Sequence, residues 1–192
     1  MLAPAPGTSN RRKIQPEGEP GARYTSMLQI AQDALKQAAV AASDDVFAEG
    51  IHAAVMANRQ TLAMQIYSVA QGHAAAGPKS AAAVLATAAF NGKINMVLHA
   101  ATTIGTLSRG QADLVWAVGA PKLADGTADA TLIHVLRSCI DATQSAGRVR
   151  LLAQAMRSTQ GALAASKMIE HFLAQAKSAR QKKELQKILS GV

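Results

Sequence analysis

Alanine supplies much of the apolar content of this chain, and this feature narrows the folds open to it. Apolar residues make up 49% of the sequence, whereas aromatic residues make up only 3%. Alanine is the strongest helix former but fills a core poorly, and sheets favour β-branched and aromatic side chains. We therefore predict an all-α fold in which short helices approach one another closely. At 192 residues the chain is long enough for one domain with a real core.

The sequence divides into three parts. Residues 1–25 are rich in proline and glycine and contain almost no bulky apolar side chain, which predicts a disordered N-terminal arm. Residues 26–178 carry apolar side chains at helical spacing, which predicts an all-helical domain. Residues 179–192 predict a basic amphipathic C-terminal helix. Glycines that stop predicted helices recur through the helical domain, at Gly72, Gly92 and Gly147.

Three local predictions concern the start and the middle of the helical domain. Ser26 begins a capping box, so we predict a first helix over residues 26–42. Farther along, Ser108 and Gln111 form another capping box before a short helix. Residues 119–128 contain glycine, proline and aspartate, and they predict a longer loop.

Two segments of the helical domain are similar to each other. Asn58 and Gly92 follow equivalent apolar runs, and each precedes a basic residue and a second apolar run. Together with Ile51-His52 and Ala88-Ala89, this pattern over residues 51–101 resembles the ankyrin repeat. The resemblance implies stacked short helix pairs, either a helical-repeat-like array or an irregular bundle. It also places Asn58 and Gly92 at the same corner between two helices.

A weaker third copy of this pattern is centred on Gly147-Arg148, within residues 133–158. Gly147 follows Gly92 at well over one ankyrin period, which is about 33 residues. Because this interval differs from the ankyrin period, the sequence is compatible with a regular helical array and with an irregular bundle.

Positive charge is concentrated at one end of the chain. The formal net charge is +8, and residues 137–192 hold ten basic and three acidic residues. Such a segment favours acidic partners, whether protein, nucleic acid or an anionic membrane surface. Its last part is either a solvated basic helix end or a short docking helix with an apolar face. We select as candidate partner-binding residues Arg180, Lys183, Leu185, Lys187, Ile188 and Leu189.

The sequence indicates no catalytic residue, no cofactor-binding residue and no metal ligand. Cys139 is the only cysteine and lies on an apolar stripe, where a small buried hydrophobe is the expected role. The histidines lack the spacing of zinc ligands. Asp44 and Asp45 stand at a helix start, which predicts capping rather than acid–base chemistry. No phosphate-cradling glycine loop is present.

These observations favour a non-catalytic protein–protein interaction module. Its composition also resembles that of bacterial secreted effectors and secretion-associated proteins. The alternatives are a basic protein associated with nucleic acid or an anionic membrane, and an enzyme with an unrecognised site. The longest uncharged stretch, residues 60–78, contains polar residues, glycine and proline, which predicts no transmembrane segment. We expect a cytoplasmic protein or one secreted without a Sec signal.

Overall fold

The computed structural model describes residues 43–191, and within them it contains nine helices and no strand. The predicted all-α fold class is confirmed. The predicted arm over 1–25 and the predicted helix over 26–42 lie outside the described residues, and so does Val192. The helices are α1 Asp44–Met56, α2 Gln60–Gly72, α3 Pro78–Phe90, α4 Ile94–Ile104, α5 Arg109–Ala124, α6 Ala130–Thr143, α7 Ala146–Gln160, α8 Ala162–Gln175 and α9 Ala179–Leu189.

The helices form successive pairs that stack on one another. The first helix of each pair (α1, α3, α5 or α7) packs on the second helix of the same pair, and α9 stands where a fifth pair would begin. First helices also pack on the first helices of the neighbouring pairs, so that α1, α3, α5, α7 and α9 form one continuous layer. The arrangement is a helical array of the kind that the sequence pattern predicted.

Alanine makes this close stacking possible. The core contains fully buried alanines on most of the helices, packed between larger aliphatic side chains such as Leu136 and Ile140. Tyr67 and Phe172 are the largest fully buried side chains of the described residues. A core with so few large side chains depends on short distances between helices, because only dense packing recovers the dispersion energy.

Equivalent corners separate the two helices of the first three pairs. Asn58, Gly92 and Gly126 have left-handed backbone, with φ of 56°, 62° and 69°. The interval from Asn58 to Gly92 equals the interval from Gly92 to Gly126. After each corner a backbone N–H donates to the carbonyl five residues earlier, which are the pairs Arg59 to Ala54 (2.8 Å), Lys93 to Ala88 (2.9 Å) and Thr127 to Lys122 (3.0 Å). This is the hydrogen bond of a Schellman motif. The predicted equivalence of Asn58 and Gly92 is confirmed.

The third copy of the pattern lies elsewhere than predicted. Its corner is Gly126, whereas Gly147 lies in the first turn of α7. The preceding helix α6 ends at Thr143, and the residue that caps its end, Gln144, has left-handed backbone with φ of 55°. Glycine was the wrong signal here because a residue other than glycine can also occupy the left-handed region.

The loop predicted over residues 119–128 is also wrong in its first half, because α5 continues to Ala124. Gly119 lies where α5 touches α6, and a Cβ atom there would be 2.8 Å from Leu136 Cδ2. Pro121 lies in the last turn of the helix and is exposed. Packing on α6 therefore keeps helical a segment whose local composition favours a loop.

Asp44 connects the first two pairs. Its carboxylate accepts backbone N–H groups of Gly77 (3.0 Å), Lys79 (2.8 Å) and Ser80 (2.9 Å), so it caps α3 rather than its own helix. Gly77 permits this approach, because a Cβ atom there would lie 2.5 Å from Asp44 Cγ. Partial burial raises the pKa of Asp44, but the hydrogen bonds outweigh it and the pKa lies below its ordinary value. Asp44 therefore has the predicted capping role, but at the start of the neighbouring helix instead of its own.

Ion pairs join equivalent positions of neighbouring first helices. Lys79 on α3 pairs with Asp45 on α1, and Arg148 on α7 pairs with Asp113 on α5. In both cases an acid near the start of one helix meets a base near the start of a later one. The repeat therefore extends to the polar contacts at one edge of the stack.

Substitution of Gly92 by valine tests the corner. We expect Gly92→Val to lower the free energy of unfolding by on the order of 1–2 kcal/mol, because a β-branched residue is strained in left-handed backbone. No neighbouring atom lies within 4 Å of the added Cβ position, so steric crowding adds nothing. The control is Gly92→Asn, which places at this corner the residue found at Asn58. Urea unfolding that gives equal losses for both variants would contradict this role of the corner.

Candidate protein-binding face

The C-terminal helix packs on the rest of the array. Leu185 and Ile188 are buried, and α9 contacts α7 and α8. The apolar stripe rotates along the sequence, and the chain breaks between Gln175 and Ala179 to accommodate it. Ser178 caps the new helix by accepting the backbone N–H of Gln181 at 3.1 Å. The side chain of Gln181 donates to the carbonyl of Gln144 at 3.0 Å, which ties α9 to the end of α6.

The six candidate partner-binding residues fall into two groups. Leu185 and Ile188 lie in the core and Leu189 is partly buried against it. A docking helix needs an apolar face that is open before the partner arrives, and here that face already lies on α7 and α8. The other three candidates remain exposed: Arg180, Lys183 and Lys187. Arg180 Nε donates to Glu184 Oε1 at 3.2 Å on the same helix.

Each first helix has exposed residues on the outer side of the stack, and on α1, α3, α5 and α7 they include a stripe spaced three or four positions apart. We call the surface formed by these stripes the first-helix face. Its exposed members are Asp45, Glu49, His52 and Met56 on α1, Ala82, Ala86 and Phe90 on α3, Ala117, Pro121 and Ala124 on α5, Arg150, Gln154 and Arg157 on α7, and Lys187 on α9.

The middle of the first-helix face is apolar. Phe90 is 82% exposed and Met56 is 87% exposed. They are separated by the same interval as Asn58 and Gly92 and therefore occupy the same position in neighbouring pairs, just before the corner. Single exposed apolar residues are ordinary, but here they border the alanine stripes of α3 and α5. A contiguous apolar surface of this kind is typical of binding sites.

Charge changes sign across the first-helix face. At one end α1 exposes Glu49 and also Asp45, which pairs with Lys79, and at the other α7 and α9 expose Arg150, Arg157 and Lys187. A partner with the opposite order of charges is attracted in one orientation and repelled in the other. The face can therefore determine orientation as well as affinity.

The basic end of the face contains a depression of about 270 Å³ between α7 and α9, which we call the cationic groove. Arg150, Gln154, Arg157 and Lys187 line it together with Ala153, Ile188 and Gly191. Sequence reasoning selected Lys187 and Ile188 but not the two arginines. The positions of Arg150, Gln154 and Arg157 are i, i+4 and i+7, which lie on one face of a helix. This spacing is the sequence feature that could have placed the two arginines on one surface.

A second depression of about 550 Å³ lies between α2 and α4. Polar uncharged residues and two methionines, Met64 and Met96, form most of its lining, with Lys93 at one side. The hydroxyl of Tyr67 on α2 lies 2.9 Å from His99 Nδ1 on α4, which joins these two helices. None of the candidate partner-binding residues lines this depression.

The thiol of Cys139 and the side chains that could ligate a metal are the remaining groups with possible reactivity. Cys139 is completely buried, and burial raises the pKa of its thiol to about 12. The predicted burial of Cys139 in the apolar core is confirmed. Between residues 43 and 191 no three metal-ligating side chains come together. In the same range, no helix has the length and hydropathy needed to cross a bilayer.

Comparison with known proteins yields no relative. No protein-family model, curated protein or solved structure matches the chain.

Proposed function

We propose that this chain is a non-catalytic protein–protein interaction module and that its partner binds the first-helix face. The observation that carries the proposal is the exposure of Phe90 and Met56 at equivalent positions beside alanine stripes. Phenylalanine and methionine are both enriched in the buried centres of protein interfaces relative to other surface. Stacked helix pairs form extended binding surfaces because equivalent helices lie side by side along the array.

The alanine stripes suit a protein partner. Alanine loses almost no side-chain entropy on burial, so covering Ala82, Ala86 and Ala117 costs little ordering free energy. A small side chain also lets the backbone of a partner helix approach closely. Because α3 and α5 pack on each other, their exposed stripes lie side by side without a partner, which reduces the ordering cost of binding.

Nucleic-acid binding is less well supported. Single-stranded nucleic acid needs exposed aromatic rings among the basic residues. The guanidinium of Arg148 lies 5.0 Å from the ring centroid of Trp116 and covers it, and the exposed Phe90 lies two pairs away from the cationic groove.

The ankyrin-like character and a role as a bacterial secreted effector remain part of the proposal. The first is supported by the recurring corner, and the second rests on composition alone.

A charge placed in the apolar part of the face tests the proposal. We expect Phe90→Asp to weaken capture of the partner by at least about tenfold, because it removes an anchor and desolvates a carboxylate. Leu163→Asp is the matched control, since Leu163 is also exposed (71%) but lies on α8, outside the face. Quantitative affinity purification from the source cells measures both variants beside the wild type.

A partner lost with Phe90→Asp and retained with Leu163→Asp supports the face. If every captured protein is retained by both variants, or lost equally with both, the first-helix face is not the binding surface. Thermal melts of the two variants check that both substitutions leave the fold intact.

A further inference from the structure

The cationic groove brings together like charges from two helices. Arg150 and Arg157 come from one face of α7, and packing of Ile188 places the adjacent Lys187 beside them. Three cations around a depression of about 270 Å³ repel one another, since their charges lie around the same small volume. An anion in the groove would relieve this repulsion.

Two carboxylates, one on α9 and one on α5, which packs on α7, form ion pairs with cations outside the groove. Glu184 pairs with Arg180 on α9, and Asp113 pairs with Arg148. Among residues 43–191, no carboxylate forms an ion pair with any of the three cations of the groove. Arg157 Nη1 only makes a long hydrogen bond of 3.4 Å to the carbonyl of Gly191. Counting contacts among the described residues, the guanidinium groups of Arg150 and Arg157 thus have donors left for an incoming acceptor.

The floor of the groove differs from its rim. Ala153 and Ile188 are buried apolar residues, whereas Gln154 and the three cations are exposed around them. The best ligand therefore combines an acidic group with a short apolar group. The volume lies just below the roughly 300–1,000 Å³ of small-molecule sites, which suits a few side chains of a longer chain rather than a separate cofactor.

From these observations we infer that the cationic groove binds an acidic peptide segment of the partner protein, with carboxylates on Arg150, Arg157 and Lys187 and an apolar side chain on Ile188. Guanidinium groups bind carboxylates through paired hydrogen bonds, which a point charge such as lysine cannot do. The inference rests on the proposed function, because it identifies the chemistry of the segment that continues from the apolar part of the face to its basic end.

The groove offers poor support for the other anionic macromolecules. Its lining contains no aromatic side chain on which a base could stack. A membrane needs an open apolar helix face beside the basic residues, and the apolar face of α9 is buried. Both ligands are therefore included as competing outcomes of the test.

The test measures binding of a short fluorescein-labelled peptide of glutamate and leucine to the full chain by fluorescence anisotropy. The groove variant is Arg150→Gln/Arg157→Gln/Lys187→Gln. Its matched control is Arg59→Gln/Lys122→Gln/Lys167→Gln, which removes the same charge from exposed positions outside the groove. We expect the groove variant to bind at least about tenfold more weakly and the control to stay within about threefold. A peptide with lysine in place of each glutamate should not bind.

A single substitution in the groove tests the effect of charge on peptide binding at constant side-chain size. Gln154→Glu changes one amide to a carboxylate of the same size beside Arg150 and Arg157, so it should weaken peptide binding severalfold while the melting temperature stays the same or rises. Equal losses in the groove variant and its control would mean that net charge alone attracts the peptide, which overturns the inference. Tighter, groove-dependent binding of oligothymidylate or of phosphatidylserine vesicles also overturns it.

The two proposals fail separately. Phe90→Asp should leave peptide binding unchanged, because Phe90 is not part of the groove. If the peptide does not bind but capture of the partner still depends on Phe90, the inference about the groove is wrong and the proposed function stands.

Discussion

Leu185→Ala is expected to lower the free energy of unfolding by about 2–5 kcal/mol, as removal of a fully buried leucine side chain does elsewhere. Leu185 has no exposed surface and lies where α9 meets α7 and α8. The loss would be large relative to the stability of about 5–15 kcal/mol that is common for a domain. Urea unfolding followed by circular dichroism measures it.

The control for this variant makes the same chemical change at an exposed position. Leu163→Ala removes the same atoms from a side chain that is 71% exposed, so its effect should stay within about 0.5 kcal/mol. If Leu185→Ala leaves stability unchanged and instead weakens partner binding, α9 is a detachable docking helix and its packing on the array is incorrect.

Gly119→Val is expected to cost about 1–3 kcal/mol through overpacking between α5 and α6. An added Cβ atom would lie 2.8 Å from Leu136 Cδ2 and 3.0 Å from Leu132 Cδ1, and both leucines are buried. The side-chain ends can shift only slightly because the surrounding core is filled. The helices would have to separate or the leucines would have to adopt strained rotamers.

Gly110 on the same helix is the control for Gly119. No atom lies within 4 Å of its added Cβ position, so Gly110→Val should change stability by less than about 0.5 kcal/mol. If both variants melt at the same temperature as the wild type, α5 and α6 do not approach each other closely at Gly119.

The predictable part of the fold came from periodic signals. Alanine content and apolar spacing indicate helices without reference to tertiary contacts. Asn58 and Gly92 mark equivalent corners because each must adopt left-handed backbone, and few residue types do so at low cost. Both features depend on residues close together in the chain, so the sequence alone predicts them.

The mistakes arose where a distant contact decided the local structure. Gly119 and Pro121 are typical of a loop, yet packing on α6 keeps them helical. Gly147 is typical of a helix stop, yet the chain uses Gln144 for that purpose. The third corner at Gly126 was hidden because the residues around it lack the Ala-Ala and Leu-His matches of the first two pairs.

The candidate site was predictable only in part. Lys187 and Ile188 stood out within a basic C-terminal segment, but their neighbours Arg150 and Arg157 lie two helices earlier in the chain. The sequence could not show that α9 lies beside α7, since that contact depends on the full stack. Likewise, the exposure of Phe90 follows from its place on an outer stripe of α3, which a helical pattern rich in alanine does not define.

In the stack described above, the main contacts of each helix pair are with the pairs on either side. In such a linear arrangement the terminal pairs open more easily than the central ones, and stability spreads from neighbour to neighbour. A partner that lies across several first helices would add a connection between pairs that do not otherwise touch. Its binding should therefore protect the amide hydrogens of the terminal helices from exchange, even at positions far from any atom of the partner.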